Sequence, residues 1–500
     1  MINKKAEDFV KRNFLLLSLC AAVILYALFF TQSTLSPDET GNLLLGKKIL
    51  QFQYPEDFFH RMPLVPFMVS PFFLAGLGAD AARFAVPLIF ILLSVISTYM
   101  LARQVGGERV ARLSVILLLS FAMFWRWGTY VLVDIPLMAL GTLALHFFLM
   151  GLRDRRNFYT FGFFLGLSSV TKLSFAILPA ILVAYLLVRR KKRVLMSREF
   201  WAGISISVII FAAFFTAVYA MKGSMTFEQI ESVTEHVSDQ EGSVIMQVIT
   251  GAEYTSASNF MKLILTPFLI FAPFGLLMKF RMKRLLAVYS IILFSSVIVL
   301  WVVRLRYFSP IYPMAMIFCA QGYLFLRQRM GKKAVDAFFI LLIFASLLGT
   351  FYIISLDSQS LRGAGALTDY TGTLHGLIAS DYLPDYINIT ADVLTDANLT
   401  SQIFYGNFSE DILRRSGVRY LVLSVYDEWN RAPDTAAYFH PALGPLEIPF
   451  ISRPYSNGRV PPDYTFRSPL YEDLESSPGL SRLKEIKIGT QTVFIVYEVV

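Results

Sequence analysis

The sequence predicts an α-helical polytopic membrane protein with a small α/β domain at its C-terminal end. Three observations lead there. Of 500 residues, 55% are hydrophobic and only 16% charged, which is too apolar for a soluble globular chain. Apolar runs long enough to cross a bilayer recur from residue 14 to residue 355, about eleven of them. Beyond residue 357 the apolar runs shorten to strand length.

The net charge of +9 raises the alternative of a nucleic-acid partner, but Lys and Arg fall in short clusters between the apolar runs instead of lining one polar face. Cys20 and Cys319 both lie inside apolar runs, so no disulfide framework is expected. The first run, Phe14–Phe30, follows Lys4, Lys5, Lys11 and Arg12 and has no small-x-small cleavage site after it. It reads as an uncleaved anchor.

Candidate spans lie near 14–31, 82–102, 110–126, 130–151, 157–171, 173–188, 201–221, 258–279, 285–303, 307–326 and 335–355. Threading the chain through them puts Arg103/Arg109/Arg112, Arg153/Arg155/Arg156, Arg189–Arg193, Lys279–Arg284 and Arg327–Lys333 on the side of the N-terminus. That side is cytoplasmic by the positive-inside rule. Parity depends on a break at Lys172, between two short and nearly continuous runs. Residues 1–356 then form the membrane domain, with external loops 32–81 and 222–257, and residues 357–500 form the external domain.

The first loop begins with Leu35-Ser36-Pro37-Asp38-Glu39-Thr40. Ser36 to Glu39 has the form of a capping box, which would start a helix over Pro37–Gln51. Capping accounts for Glu39 better than for Asp38. An acidic pair at the bilayer edge otherwise needs water, a partner or a substrate, which makes both residues candidates for chemistry. Further on, Pro63, Pro66 and Pro71 argue against a straight spanning helix over Pro63–Leu77 and for amphipathic helices lying along the interface. In loop 222–257, Glu228, Glu231 and Glu235 share one helical face, which reads as a solvated face.

In the tail, Val418–Ser424 and Gln491–Val499 read as strands, Glu410–Ser416 as a short helical piece and Tyr426–Pro469 as a connection. Asn388, Asn398 and Asn407 open glycosylation sequons on this same side, a weak support for its being external.

The other ionisable residues of the external side are Arg126, Asp134, Lys172, Arg304 and Arg306, each at the end of an apolar run. For the basic ones the plain alternative is snorkelling to the headgroups, and Arg126 between Trp125 and Trp127 reads as part of an aromatic belt. For Asp134 it is a solvated helix-terminal carboxylate. Lys172 differs, because a cation held at a helix junction at bilayer depth suits a lipid phosphate. Carboxylates and cations gathered at one interface suit group transfer from a phosphorylated lipid, with a carboxylate as base and cations receiving the leaving phosphate. Neither GxxxxGK[ST] nor GxGxxG is present, and neither HExxH nor paired CxxC, so nucleotide and zinc sites have no motif support.

At these positions the chain resembles the GT-C glycosyltransferases, and within them the protein O-mannosyltransferase and lipid A aminoarabinose transferase branch. The resemblance covers about residues 10–350. It rests on Asp38-Glu39 after the first span, His60-Arg61-Met62-Pro63-Leu64, Val133-Asp134-Ile135-Pro136, the Thr171-Lys172 junction, and Arg306-Tyr307 followed by Pro310 and Pro313. What it implies is a polyprenyl-phosphate-sugar donor, an external active site, a catalytic Asp at Asp38 and a phosphate-contacting Lys at Lys172. Among the other residues of this face, Arg304 or Arg306 is expected to help receive the donor phosphate, and His60, Arg61 and Tyr307 are expected to contact the substrates. Lys172 is followed by Leu173-Ser174 where relatives often have Gly, and His60–Pro63 lacks their paired prolines. These departures bear on the acceptor, which is a protein, lipid or glycan hydroxyl.

The expected activity is therefore transfer of a sugar by a multi-pass membrane enzyme, in the plasma membrane if the source is prokaryotic. Asp38 acts as base, Asp134 orients a substrate, and Glu39 is a third carboxylate of the site. No cofactor is required; in a metal-assisted variant Asp38, Glu39 and Asp134 would hold Mg or Mn. The rival is a transporter or lipid flippase, which should show internal repeats and charges near the bilayer midplane. Here the two halves show no evident similarity, and the charges collect at one face.

Overall fold

The computed structural model describes residues 4–30, 37–53, 62–172, 175, 178–222, 267–277, 290, 305–371, 378–380, 419–424, 439–440, 444–445, 478–488 and 491–500. The membrane domain opens with α1 (Lys4–Phe30), α2 (Pro37–Leu50), α3 (Leu64–Leu74), α4 (Gly78–Gly106), α5 (Glu108–Leu119) and α6 (Ala122–Gly128). Then come α7 (Asp134–Gly151), α8 (Asn157–Thr171), α9 (Leu178–Val188), α10 (Lys192–Leu195) and α11 (Arg198–Lys222). A 3-10 turn, Pro267–Phe271, leads into α12 (Ala272–Leu277), and a second, Leu305–Ile311, leads into α13 (Tyr312–Arg329) and α14 (Lys332–Thr371).

Among the described residues, six helices are long and apolar enough to cross a membrane: Asp8–Phe30, Gly78–Gly106, Asp134–Gly151, Arg198–Met221, Phe308–Arg329 and Lys332–Phe351. A seventh crossing results if α5 and α6, bent by 62° at their junction, form one broken span. That is fewer than the eleven expected. Helix α8 has 15 residues and α9 has 11. At 1.5 Å per residue they reach about 22 and 16 Å, short of a hydrocarbon core about 30 Å thick. Hydropathy marks the apolar run and is blind to the break within it. Of the expected span 258–279, only Pro267–Leu277 is described, and 285–303, residue 290 apart, lies outside the described residues. So does loop 222–257 beyond Lys222, with its three glutamates.

Small residues set the closest helix contacts. A Cβ on Gly162 would collide with the backbone carbonyl of Gly203, and one on Gly203 with that of Phe158. Helices α8 and α11 therefore touch backbone to backbone, and Gly166, four residues on, packs on Ile210. This is the small-xxx-small spacing that lets membrane helices approach without a hydrophobic drive between them. Gly275 and Gly322 make the same reciprocal contact between α12 and α13, against the carbonyls of Phe318 and Phe271. A leucine at any of these four positions would force the pair apart.

In the first loop the described residues form two short helices: α2 begins at Pro37, where the capping-box pattern puts it, and α3 has eleven residues with Pro71 inside it. Ser70 Oγ donates to the Gly46 carbonyl (2.9 Å), and Gly46 lies against Val69, so the two helices meet at a glycine. Leu45 and Ile49 pack with Val218 near the end of α11.

Part of the basic clustering has a structural use beyond topology. Glu108 accepts from the Tyr99 hydroxyl (2.8 Å) and Arg112 Nε (2.9 Å), with Arg103 Nε at 3.3 Å. Arg112 also donates to the Lys11 carbonyl (3.1 Å), which links α1, α4 and α5 at the basic end. Asp336 accepts from the Tyr323 hydroxyl (2.5 Å) and from Arg327 (2.7 and 3.0 Å), which ties α13 to α14.

By its internal contacts the chain divides into two compact units, Met1–Thr31 with Leu45–Phe351, and Gln32–Leu44 with Tyr352–Val500. Helix α14 runs on past residue 357, where the sequence reading ended the membrane domain, to Thr371. In the second unit β1 (Ile378–Ser380), β2 (Tyr420–Ser424), β5 (Leu480–Ile488) and β6 (Gln491–Val499) form a sheet in the order β1-β2-β6-β5. β3 (Phe439–His440) and β4 (Gly444–Pro445) pair separately. β1 runs parallel to β2, and β6 pairs antiparallel with both β2 and β5. Leu421, Ile495 and Val496, fully buried, form its core. β6 has the bounds its β-branched run predicts; the helical piece Glu410–Ser416 and the three sequons lie outside the described residues.

Candidate active site

The site is built where α7 begins and α8 ends. Asp134 is the first residue of α7, where the helix dipole favours a negative charge. It is 2% exposed. Lys172 follows the last residue of α8 with an extended backbone (φ −154°, ψ 122°), so the helix stops and the side chain leaves at the junction. Its Nζ lies 3.8 Å from Asp134 Oδ1. The last turn of α8 is lined by Ser168, Ser169 and Thr171, whose hydroxyls donate to carbonyls four residues back, at 2.7, 3.0 and 2.7 Å. Such bonds satisfy buried hydroxyls within the helix itself.

The pair is asymmetric. The Asp134 side chain is 3% exposed and that of Lys172 is 25% exposed. A carboxylate withdrawn from water needs compensating charge, whereas the lysine side chain remains partly exposed, as contact with an incoming anion requires. The plain reading of Asp134 as a solvated helix terminus is thus corrected: it is helix-terminal but buried and ion-paired.

A third element closes on the same point. Ser309, fully buried in the 3-10 turn Leu305–Ile311, donates its hydroxyl to the Asp134 backbone carbonyl at 2.8 Å. One such bond contributes about 1 kcal/mol. It pins the turn that carries Arg306 and Tyr307 to the start of α7. Nothing in the sequence assigns this Ser a role, because no periodicity marks a hydroxyl whose partner lies 175 residues away.

A fourth element is α6, carrying Arg126. The aromatic-belt reading is half right: the guanidinium lies 4.6 Å from the centre of the Trp127 ring, but the residue is only 7% exposed. It is buried in protein rather than reaching headgroups. The α5–α6 bend is closed by Trp125 Nε1 donating to the Leu119 carbonyl (2.7 Å), which fixes α6 across the break. Arg83, near the start of α4, is a buried cation that the sequence reading passed over; its guanidinium lies 5.6 Å from the Phe30 ring centre and 4.0 Å from Asp80.

Asp38 and Glu39 lie in the first turn of α2, in the second unit. Glu39 is fully buried, as is Asn42 one turn on (2% exposed). The side chain of Asp38 falls outside the described residues, as does Ser36, the expected cap. His60, Arg61 and Arg304 also lie outside them. Arg306 and Tyr307 are placed by their backbone on the 3-10 turn, with side chains not described. Among the described residues no three His, Cys, Asp or Glu side chains gather to hold a metal ion.

Residues 60–216 match a family profile described as dolichyl-phosphate-mannose-protein mannosyltransferase. The matched segment contains His60, Arg61, Arg126, Asp134 and Lys172. Over the whole chain the fold is similar to that of ArnT from Cupriavidus metallidurans. The crystal structure of ArnT bound to undecaprenyl phosphate superposes with a TM-score of 0.62 at 15% identity, covering 97% of this chain and 98% of that one. The Archaeoglobus fulgidus oligosaccharyltransferase, tethered to an acceptor peptide containing an NVT sequon, gives 0.52 at 13% identity over 86% of this chain and 71% of that one. Among curated proteins no sequence matches the chain.

Proposed function

We propose, from the premise that this chain is a GT-C membrane glycosyltransferase of the lipid-phosphate-sugar type, that it transfers a sugar from a polyprenyl phosphate to an acceptor hydroxyl at the external membrane face. The observation that carries the reading is the Asp134–Lys172 pair, with its buried carboxylate and partly exposed lysine, inside the segment that matches the mannosyltransferase family. The undecaprenyl phosphate bound to ArnT supports a polyprenyl carrier here as well.

The step balances as a displacement at the anomeric carbon. Asp38 takes the proton of the acceptor hydroxyl, the oxygen bonds to the anomeric carbon, and the bond from that carbon to the phosphate oxygen breaks. Polyprenyl phosphate leaves with the electron pair. Its charge is met by Lys172, with help from Arg306 or Arg304. Asp134 holds Lys172 in place and orients the bound sugar. His60, Arg61 and Tyr307 contact the substrates, and Glu39 is the carboxylate that remains if Asp38 is not the base.

Cells lacking the protein are expected to accumulate one polyprenyl-phosphate sugar, which mass spectrometry of their lipid phosphates would identify. Unchanged lipid pools would sink the proposed reaction. We further propose that the N-terminus is cytoplasmic and that residues 357–500 are external, because threading the chain through its apolar runs puts the basic clusters on the side of the N-terminus. A tag at Val500 should be labelled on intact cells; labelling only after permeabilisation would reverse the orientation.

A further inference from the structure

We propose that Arg126, held on the broken helix α6, is a positioning residue that balances the charge of Asp134 and so allows Lys172 to turn from Asp134 to the phosphate of the donor. The inference rests on the donor reading given above for Lys172.

Its starting point is a problem in the site itself. In the structure the Lys172 ammonium lies 3.8 Å from Asp134, a buried carboxylate. An ammonium drawn toward a phosphate loosens its hold on that carboxylate, and a buried carboxylate deprived of compensating charge is costly. A second cation removes the difficulty, because the carboxylate then stays compensated while the ammonium moves.

Arg126 is built into the right place. Helix α6 packs against the start of α7 and against the turn Leu305–Ile311, the two elements joined by the Ser309 bond to Asp134. Arg126 and Asp134 both lie near enough to the Tyr312 hydroxyl to act on it electrostatically, which puts their charges around one side chain. Tyr312 is itself held by an edge-on contact with Phe121, the residue that precedes α6, at 4.6 Å between ring centres. The Trp127 ring under the guanidinium and the Trp125 bond across the bend restrict α6 further. Broken helices are tolerated at membrane depth where the irregular backbone is buried in protein or lines a cavity. Here the break sets a buried arginine on an element packed against the helix that begins with the buried Asp134. With Lys172 the three side chains sum to one positive charge, appropriate to an anionic donor.

Titration of purified protein in detergent micelles with undecaprenyl phosphate tests this, using Arg126→Lys, Arg126→Gln, Asp134→Asn and the double variant Arg126→Gln/Asp134→Asn, with Lys172→Ala as control. Arg126→Gln should weaken binding roughly tenfold or more, since the remaining carboxylate keeps the lysine. Arg126→Lys should stay within about threefold of the parent, because the charge is kept. The deciding result is the double variant: with the carboxylate gone, the loss of Arg126 should cost less than about twofold relative to Asp134→Asn alone. A double variant as weak as Arg126→Gln would overturn the inference and leave Arg126 as a direct phosphate ligand or a packing residue. Parent-like binding by Arg126→Gln would overturn it as well. If Arg126→Gln does not fold, the comparison of the double variant with Asp134→Asn still decides. Loss of binding in Lys172→Ala alone, with every Arg126 variant at parent level, sinks this inference and spares the donor reading; parent-like binding by Lys172→Ala sinks the donor reading itself.

Discussion

Asp38→Asn is expected to abolish sugar transfer while leaving expression and binding of the lipid donor near their original levels. Asparagine is almost the same size as aspartate, so the change removes charge and basicity and little packing. Asp38 stands in the first turn of α2, with Pro37 at its start. If its role were confined to the helix, the substitution would forfeit a dipole interaction of about 0.3–1 kcal/mol. Loss of a positioned base costs a factor of about 10²–10⁴ in rate, or roughly 3–5 kcal/mol in the barrier. The two roles are therefore separated by magnitude in one assay. The measurement is transfer of labelled sugar from polyprenyl phosphate in membranes with matched amounts of each protein. Turnover near the original by Asp38→Asn would remove Asp38 from the mechanism and leave Glu39 or Asp134 as the base.

The second large effect is expected at Lys172. Lys172→Ala should weaken binding of a lipid phosphate by roughly tenfold to a hundredfold, as suits removal of a charge-assisted contact. Lys172→Arg should recover part of that loss, because a guanidinium still offers positive charge but carries it in a planar fork that the site was not built to seat. The substitution also deprives Asp134 of one of its compensating charges, so affinity is to be measured per folded protein, with the amount of folded protein checked by gel filtration. Equal affinity in all three proteins would show that Lys172 serves only its ion pair with Asp134.

Physical reasons separate what could be read from the chain and what could not. Asp134 and Lys172 were legible as candidates because charge at the end of an apolar run is expensive, and the break at Lys172 was demanded by the parity of the basic turns. The structure brings these two within 3.8 Å although 38 positions separate them in the chain, since α7 and α8 form an antiparallel hairpin. The burial of Arg126 was not legible, because its aromatic neighbours, Trp125 and Trp127, suit an exposed interfacial belt equally well. That burial belongs to α6, which follows the 62° bend after α5, and such a bend leaves no trace in hydropathy. The roles of Ser309 and Tyr312 were invisible for a related reason: each depends on a partner far away in the chain.

The sequence by itself determined the class of protein, the approximate positions of the long spans and the strand Gln491–Val499. All of these follow from local composition, because transfer of apolar side chains out of water and the cost of charge in hydrocarbon act residue by residue. Only the tertiary structure decided that α8 meets α11 backbone to backbone at Gly162 and Gly203, and that Asp134 is buried beside a partly exposed lysine and the turn carrying Ser309. Those features depend on which helices become neighbours. That choice is made by close packing and by the pairing of buried polar groups across the fold, which no window along the chain contains.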